Sequence, residues 1–282
     1  MPRRENVQYT PTGYWLKERE DRNWLINAST QPLLKTFSEI GPRPKNRDPS
    51  NIEPIENQGN QGSCQGHMLS TEVEVLHMIA GGPQVQLSRA CAYYRSQAID
   101  GIRGDQGSTL SAGCKVAEEE GLPIESVWPY PNSYNPSPPS EYENSVRYKS
   151  GGHAPCEGFD DALTHLWEGQ GTIGFGILWD GSIDEQVSRN GGLVTQYRPA
   201  SRSGGHAIAG LGFREDRPDG TKFPEPVIVV FNSWKITWGD KGKFYVTKSV
   251  LEDMIRNQMN VVIKRFGAPT PDVPVVDISS DL

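Results

Sequence analysis

The chain has 282 residues, a formal net charge of −7, 30 glycines, 22 prolines and four cysteines, with a mean hydropathy of −0.58. This length buries a sizeable core, as one large domain or two lobes around a cleft. The acidic balance argues against nucleic acid or an anionic membrane as the main partner, and no apolar run approaches a membrane span.

Residues 1 to 48 read as a polar entry segment, with aromatic pairs Tyr14-Trp15 and Trp24-Leu25 around the charged run Lys17 to Arg22. Met1 to Asn6 lacks the apolar core of a secretory signal peptide, which suits a cytoplasmic or other reducing compartment. The first strong signal is Gln58-Gly59-Asn60-Gln61-Gly62-Ser63-Cys64. A Gly-Ser turn precedes Cys64, and Met68, Leu69, Val73, Leu76, Ile79 and Ala80 recur behind it at helical spacing. The pattern predicts a helix from about Cys64 to Ala80, ended by Gly81-Gly82-Pro83. A thiol at a helix start sits where the dipole and unpaired N–H groups favour a thiolate.

Further helix runs to about residue 128, and Cys91 and Cys114 on helical patterns read as buried thiols packing as small hydrophobes. With Cys64 set aside, three cysteines remain with no close pair, so no disulfide framework is expected. The stretch 129 to 158 carries six prolines and is too broken for helix, which suits a crossing between lobes. Phe159 to Glu168 predicts a short helix. Strands follow at Thr172–Trp179, His206–Arg214, Val227–Phe231, Lys243–Thr247 and Val261–Phe266, with turns at Arg217-Pro218-Asp219-Gly220 and Gly239-Asp240-Lys241-Gly242. Residues 267 to 282 form a proline-containing tail without periodicity. No cofactor is implied. His153 and Cys156 have metal-ligand chemistry, but two ligands make no metal site.

His206 at the entrance of a buried strand is a base for the Cys64 thiol. Asn232, at the end of Val227–Phe231, offers a side-chain oxygen to the imidazole and fixes its tautomer, and Trp234 covers that bond. Each residue alone reads as ordinary packing. Together they place a nucleophile, a base and an orienting amide where the fold can join them.

Gln58 to Cys64 resembles the nucleophile motif of papain-like cysteine peptidases. Ser203 to Phe213 is similar to the family's histidine strand, and Asn232-Ser233-Trp234 with Trp238 to Val246 to its asparagine motif and following strand. Gly121-Leu122-Pro123 and Trp128-Pro129-Tyr130 also resemble family segments. The resemblance spans roughly residues 50 to 266. It implies an α+β fold of two lobes, with a helical lobe over about 49–128, a crossing over 129–158 and an antiparallel sheet or barrel lobe over 159–266. It further implies a cleft between the lobes, Gln58 as an oxyanion-hole donor, and Gly107, Ser108, Gly205, Ala207 and Trp234 near a polypeptide substrate.

Three positions depart from the family pattern. Gln61 stands where the family commonly has a disulfide-bonded cysteine, Gln65 replaces an aromatic residue after the nucleophile, and Gly205 replaces an acidic one before the histidine. Two readings follow: peptide-bond hydrolysis through Cys64, His206 and Asn232 with a thioester intermediate, or the same fold kept as a structural or binding part of a homo-oligomer or larger assembly such as a virion. The entry segment blocks the cleft, braces the lobes or docks on a partner; its apolar anchors favour the last two.

Overall fold

The computed structural model describes residues 43–47, 52, 55–168, 171–200, 203–257 and 259–265. The aromatic anchors of the entry segment and the C-terminal tail lie outside these residues. The chain enters through a two-residue strand, β1 (Asn46–Arg47), which pairs with Arg214 and Phe213. The sheet thus begins just before the 48/49 boundary read from sequence.

Helix α1 (Cys64–Ile79) ends one residue short of its expected limit, and every residue from Cys64 to Leu76 is buried. A helix buried all round must be packed on more than one side. Cys64, Met68 and Val75 join a cluster with the sheet residues Ala207, Ala209 and Phe231. Leu69 and Val73 join Tyr93, Trp128 and Tyr142 in the other lobe. Helix α1 is therefore the wall that both lobes share.

Around it stand α2 (Arg89–Asp100), capped by the Ser88 hydroxyl and closed by Gly101 at φ 70°, and α3 (Leu110–Lys115), capped by Thr109. A π-helical turn, Val116–Glu120, prolongs α3 as far as Gly121 at φ 76°. Gly101 takes the left-handed backbone that ends a helix, whereas Gly121 combines its positive φ with an extended ψ of 168°, which glycine alone adopts readily. The proline-rich crossing holds one short strand, β2 (His153–Pro155). It leads into α4 (Phe159–Glu168), whose limits match the sequence reading.

The remaining strands are β3 (Gly171–Trp179), β4 (Leu193–Val194), β5 (Gly204–Asp216), β6 (Lys222–Phe231), β7 (Lys243–Thr247) and β8 (Asn260–Arg265), with α5 (Gly181–Arg189) after β3 and α6 (Lys248–Arg256) after β7. The sheet order is β2-β8-β3-β5-β6-β7-β4. All pairings are antiparallel except the two-residue contact of β4 with β7. The sheet is open, with the short β2 and β4 as its edges, so of the two forms anticipated it is a sheet and not a closed barrel. Short edges limit the row of unpaired backbone groups offered to other chains. Long β5 pairs with β3 on one side and β6 on the other. This makes β5 the central platform that carries His206. Among the described residues no helix is long and apolar enough to cross a membrane.

Candidate active site

Cys64 is the first residue of α1 and is buried. It belongs to the same apolar cluster as Ala207, the residue after His206, as α1 packs on the sheet. His206 is also buried, and its Nε2 lies 2.9 Å from Asn232 Oδ1. The Ser233 backbone N–H donates to the same oxygen at 2.8 Å. That second bond fixes which end of the Asn232 amide is oxygen. Asn232 therefore accepts, His206 Nε2 must donate, and the ring's lone pair is on Nδ1. Nδ1 has no hydrogen-bond partner among the described residues. Burial pushes the imidazole down to about 4, opposed by the Asn232 bond, so a charged ring needs a compensating negative charge beside it.

Trp234 does more than cover. Its ring stacks on His206 with centroids 4.5 Å apart and planes 22° from parallel, while its Nε1 donates to Gln58 Oε1 at 3.1 Å. Ser233 Oγ donates to that oxygen too, at 2.7 Å. The Gln58 amide is thus held with its nitrogen turned the other way, where Nε2 donates to Gln61 O at 2.9 Å. The backbone is tied as well: Gln58 N donates to Ser233 O, and Lys235 N donates to Glu56 O. One loop, Asn232 to Lys235, consequently orients both the imidazole and the Gln58 amide.

Gln61 shows what stands in place of a disulfide. Its Nε2 donates to Pro131 O at 2.6 Å and its Oε1 accepts from Tyr94 at 3.0 Å. Two hydrogen bonds thereby join the loop before Cys64 to α2 and the crossing. Tyr130 adds a third tie, donating to Gln58 O at 2.9 Å. None of the four cysteines forms a disulfide, and all are buried. Burial pushes the Cys91 and Cys156 thiols up to about 12.

Gly107 and Ser108 are buried. Gly107 N donates to the Tyr93 hydroxyl, its carbonyl accepts from Gln97, and Ser108 Oγ donates to Asp100. These groups brace their own lobe. Gly205 pairs with Leu178 of β3, and buried Ala207 packs toward α1. Sequence reading missed Trp179, whose ring meets His206 edge-on at 5.0 Å. It also missed Asp184 on α5, which accepts from both Trp179 Nε1 and Trp238 Nε1. No motif marks either; only the folding of α5 back onto the end of β3 joins them. Among the described residues no group of three or more His, Cys, Asp or Glu side chains is placed to hold a metal ion.

The profile described as "Papain family cysteine protease" matches residues 43–263. The chain belongs to the papain family of cysteine proteases. An uncharacterized peptidase C1-like protein of Acanthamoeba polyphaga mimivirus is 23% identical over 264 residues, covering 85% of this chain and 82% of that protein. Xylellain, a cysteine protease from Xylella fastidiosa, superimposes with a TM-score of 0.66 at 21% identity, over 92% of this chain and 97% of its own. The Carica candamarcensis cysteine protease solved in complex with E-64 gives 0.56 at 17% identity, over 80% and 100%. This papain-family protease is a hydrolase of peptide bonds, with polypeptides as its substrates.

Proposed function

We propose that this papain-family protease cleaves peptide bonds with Cys64 as nucleophile, His206 as base and acid, Asn232 as the orienting amide and Gln58 as an oxyanion donor. The observation that supports this most directly is the tautomer. With Nε2 committed to Asn232, the Nδ1 lone pair takes the Cys64 proton. The transfer creates thiolate and imidazolium together, so each burial-disfavoured charge has its counter-ion. The thiolate attacks the carbonyl carbon, and the oxyanion is met by Gln58 Nε2 and the Cys64 N–H. His206 gives its proton to the leaving amine as the C–N bond breaks. It then takes a proton from water, and the resulting hydroxide cleaves the thioester and restores the thiol. One oxyanion donor contributes about 2.7–4 kcal/mol to such a barrier.

The test is turnover of a fluorogenic peptide by Cys64→Ala, His206→Ala and the double variant, with E-64 labelling followed by mass mapping. Each single variant loses hydrolysis while remaining folded, and the double is little worse than either, because the two residues act as a unit. E-64 labels Cys64 only. Losses that multiply in the double variant, or labelling of Cys91, Cys114 or Cys156, would rule the assignment out.

A further inference from the structure

Outside the four residues just assigned, a carboxylate lies one ring away from the base. Asp184, half-buried on α5, accepts from Trp179 Nε1 at 3.1 Å with one oxygen and from Trp238 Nε1 at 3.2 Å with the other. An indole has a single polar handle, so each ring is fixed in rotation by this one carboxylate. The two rings are not remote packing. Trp179 meets His206 edge-on at 5.0 Å and Trp234 edge-on at 5.1 Å. Trp238 meets Trp234 edge-on at 5.5 Å. Trp234 in turn lies flat on the imidazole.

We infer that Asp184 is a positioning residue for the catalytic base, holding Trp179 and Trp238 so that they clamp Trp234 and His206 in the orientation the Asn232 bond requires. This inference rests on the role proposed for His206. A carboxylate is suited to the task because its two oxygens serve two N–H donors at once, and hydrogen bonds to a charged acceptor are stronger than neutral ones. Burial raises the Asp184 carboxyl from its ordinary value and the two indole bonds oppose that shift. The other charge acting on it is Asp180 at the α5 N-terminus. Around His206 stand Asn232 from the end of β6 and the rings of Trp179 and Trp234, none of them charged; the titrating group that the proposed function sets against it is the Cys64 thiol. Asp184 touches no reacting atom, so its effect travels through ring packing.

The experiment compares Asp184→Asn and Trp179→Phe with the parent full-length chain. The readout is the alkylation rate of Cys64 by iodoacetamide at pH 5.5 and at pH 9. Above its own pKa the thiol ionises without help, whereas at pH 5.5 only a thiolate paired with a well-placed imidazolium reacts. Rates are taken on the folded fraction isolated by size exclusion at each pH, because an unfolded chain alkylates at pH 9 but hardly at pH 5.5 and would lower the ratio by itself. Both variants lower that ratio at least threefold, and on a fluorogenic peptide both lower kcat with KM within twofold. Trp179→Phe keeps an aromatic ring and deletes only the bicyclic edge and its N–H, so it decides the matter if Asp184→Asn folds poorly. A ratio within 1.5-fold of the parent in the folded variants overturns the inference. If instead the parent chain shows no alkylation at pH 5.5, the ion pair itself is absent and the proposed function fails first.

Discussion

A guanidinium among three carboxylates in a protein interior is stable only while each charge keeps its partner. Arg89 is 4% exposed; it donates to both oxygens of Glu56, to Glu125 and to the Leu87 carbonyl, with Glu74 3.4 Å away. Glu56 lies two residues before Gln58, and Glu125 holds the backbone N–H of Tyr130, whose hydroxyl reaches Gln58 O. The cluster thus grips the Gln58 segment from two sides. Removing one partner of a buried ion pair costs about 3–5 kcal/mol, so Arg89→Met lowers the free energy of unfolding, measured by urea titration, by that order. Glu74 differs, because burial pushes its carboxyl up to about 8 and it is largely protonated at neutral pH. Glu74→Gln exchanges one neutral acceptor for another and keeps the Leu87 N–H bond; at pH 7 it stays within about 1 kcal/mol of the parent. At this scale the sequence revealed chemistry better than support. Cys64, His206, Asn232 and Gln58 stand in recognisable local motifs. Arg89, Glu56, Glu74, Glu125 and Asp184 are scattered charges that only tertiary packing brings together.

Among the elements, α1 was readable because its apolar residues are periodic, and the long strands because their small and apolar runs have no helical spacing. Helices α5 and α6 were missed. Each has nine residues, too few turns for a period to show, and each follows directly on a strand. What periodicity also hides is how closely elements approach. A Cβ on Gly66 would lie 2.7 Å from Tyr93 Cβ and 2.8 Å from Tyr93 N, so α1 and α2 touch backbone to backbone at the second residue after Cys64. Gly66→Ala must separate the helices, at about 1–3 kcal/mol or more, and the shift reaches Cys64. Gly113 on α3 makes the softer contact. Its added Cβ would meet Gln65 Nε2 at 2.0 Å, the end of a flexible side chain, so Gln65 is the residue for which α3 leaves room. Gly113→Ala is expected to destabilise, and Gln65→Ala to relieve most of that strain. A double-mutant cycle measured by thermal unfolding gives a coupling of about 0.5–3 kcal/mol of relieving sign if these residues share the space. Additive effects would show that they do not.

For the molecule as a whole, the buried titratable groups set a stability profile whose shape follows from sign alone. Burial pushes His67 down to about 3 and His206 down to about 4. Both take up a proton near 6.5 once unfolded. Moving the Cys64 proton onto His206 leaves the proton count unchanged, so the pair still resists a further proton. A depressed folded pKa gives stability that is complete above the unfolded value and lost as pH falls through the folded one. The two histidines therefore erode stability below pH 6.5. Glu74 runs the other way, from 4.5 when unfolded to about 8 when folded. Its contribution is complete below 4.5 and disappears as pH rises through about 8. Each unmatched proton is worth about 1.4 kcal/mol per pH unit. Of these three groups, two histidines outweigh one glutamate between 4.5 and 6.5 and contribute a climb of about 1.4 kcal/mol per unit; between 6.5 and 8 Glu74 alone of the three acts and contributes a fall at a similar rate. The maximum lies near pH 6.5. Urea unfolding across pH 4.5 to 9 tests this in the parent chain and in two variants. Glu74→Gln flattens the alkaline limb and roughly doubles the acid slope, to about 2.8 kcal/mol per unit, because the Glu74 proton that opposed the histidines below 6.5 is gone as well. His67→Gln halves the acid slope attributed to the histidines without moving the alkaline limb. A parent profile that keeps rising to pH 8, or a Glu74→Gln variant that falls as steeply as the parent above 6.5, would show that Glu74 is ionised in the folded protein and fully neutralised by Arg89.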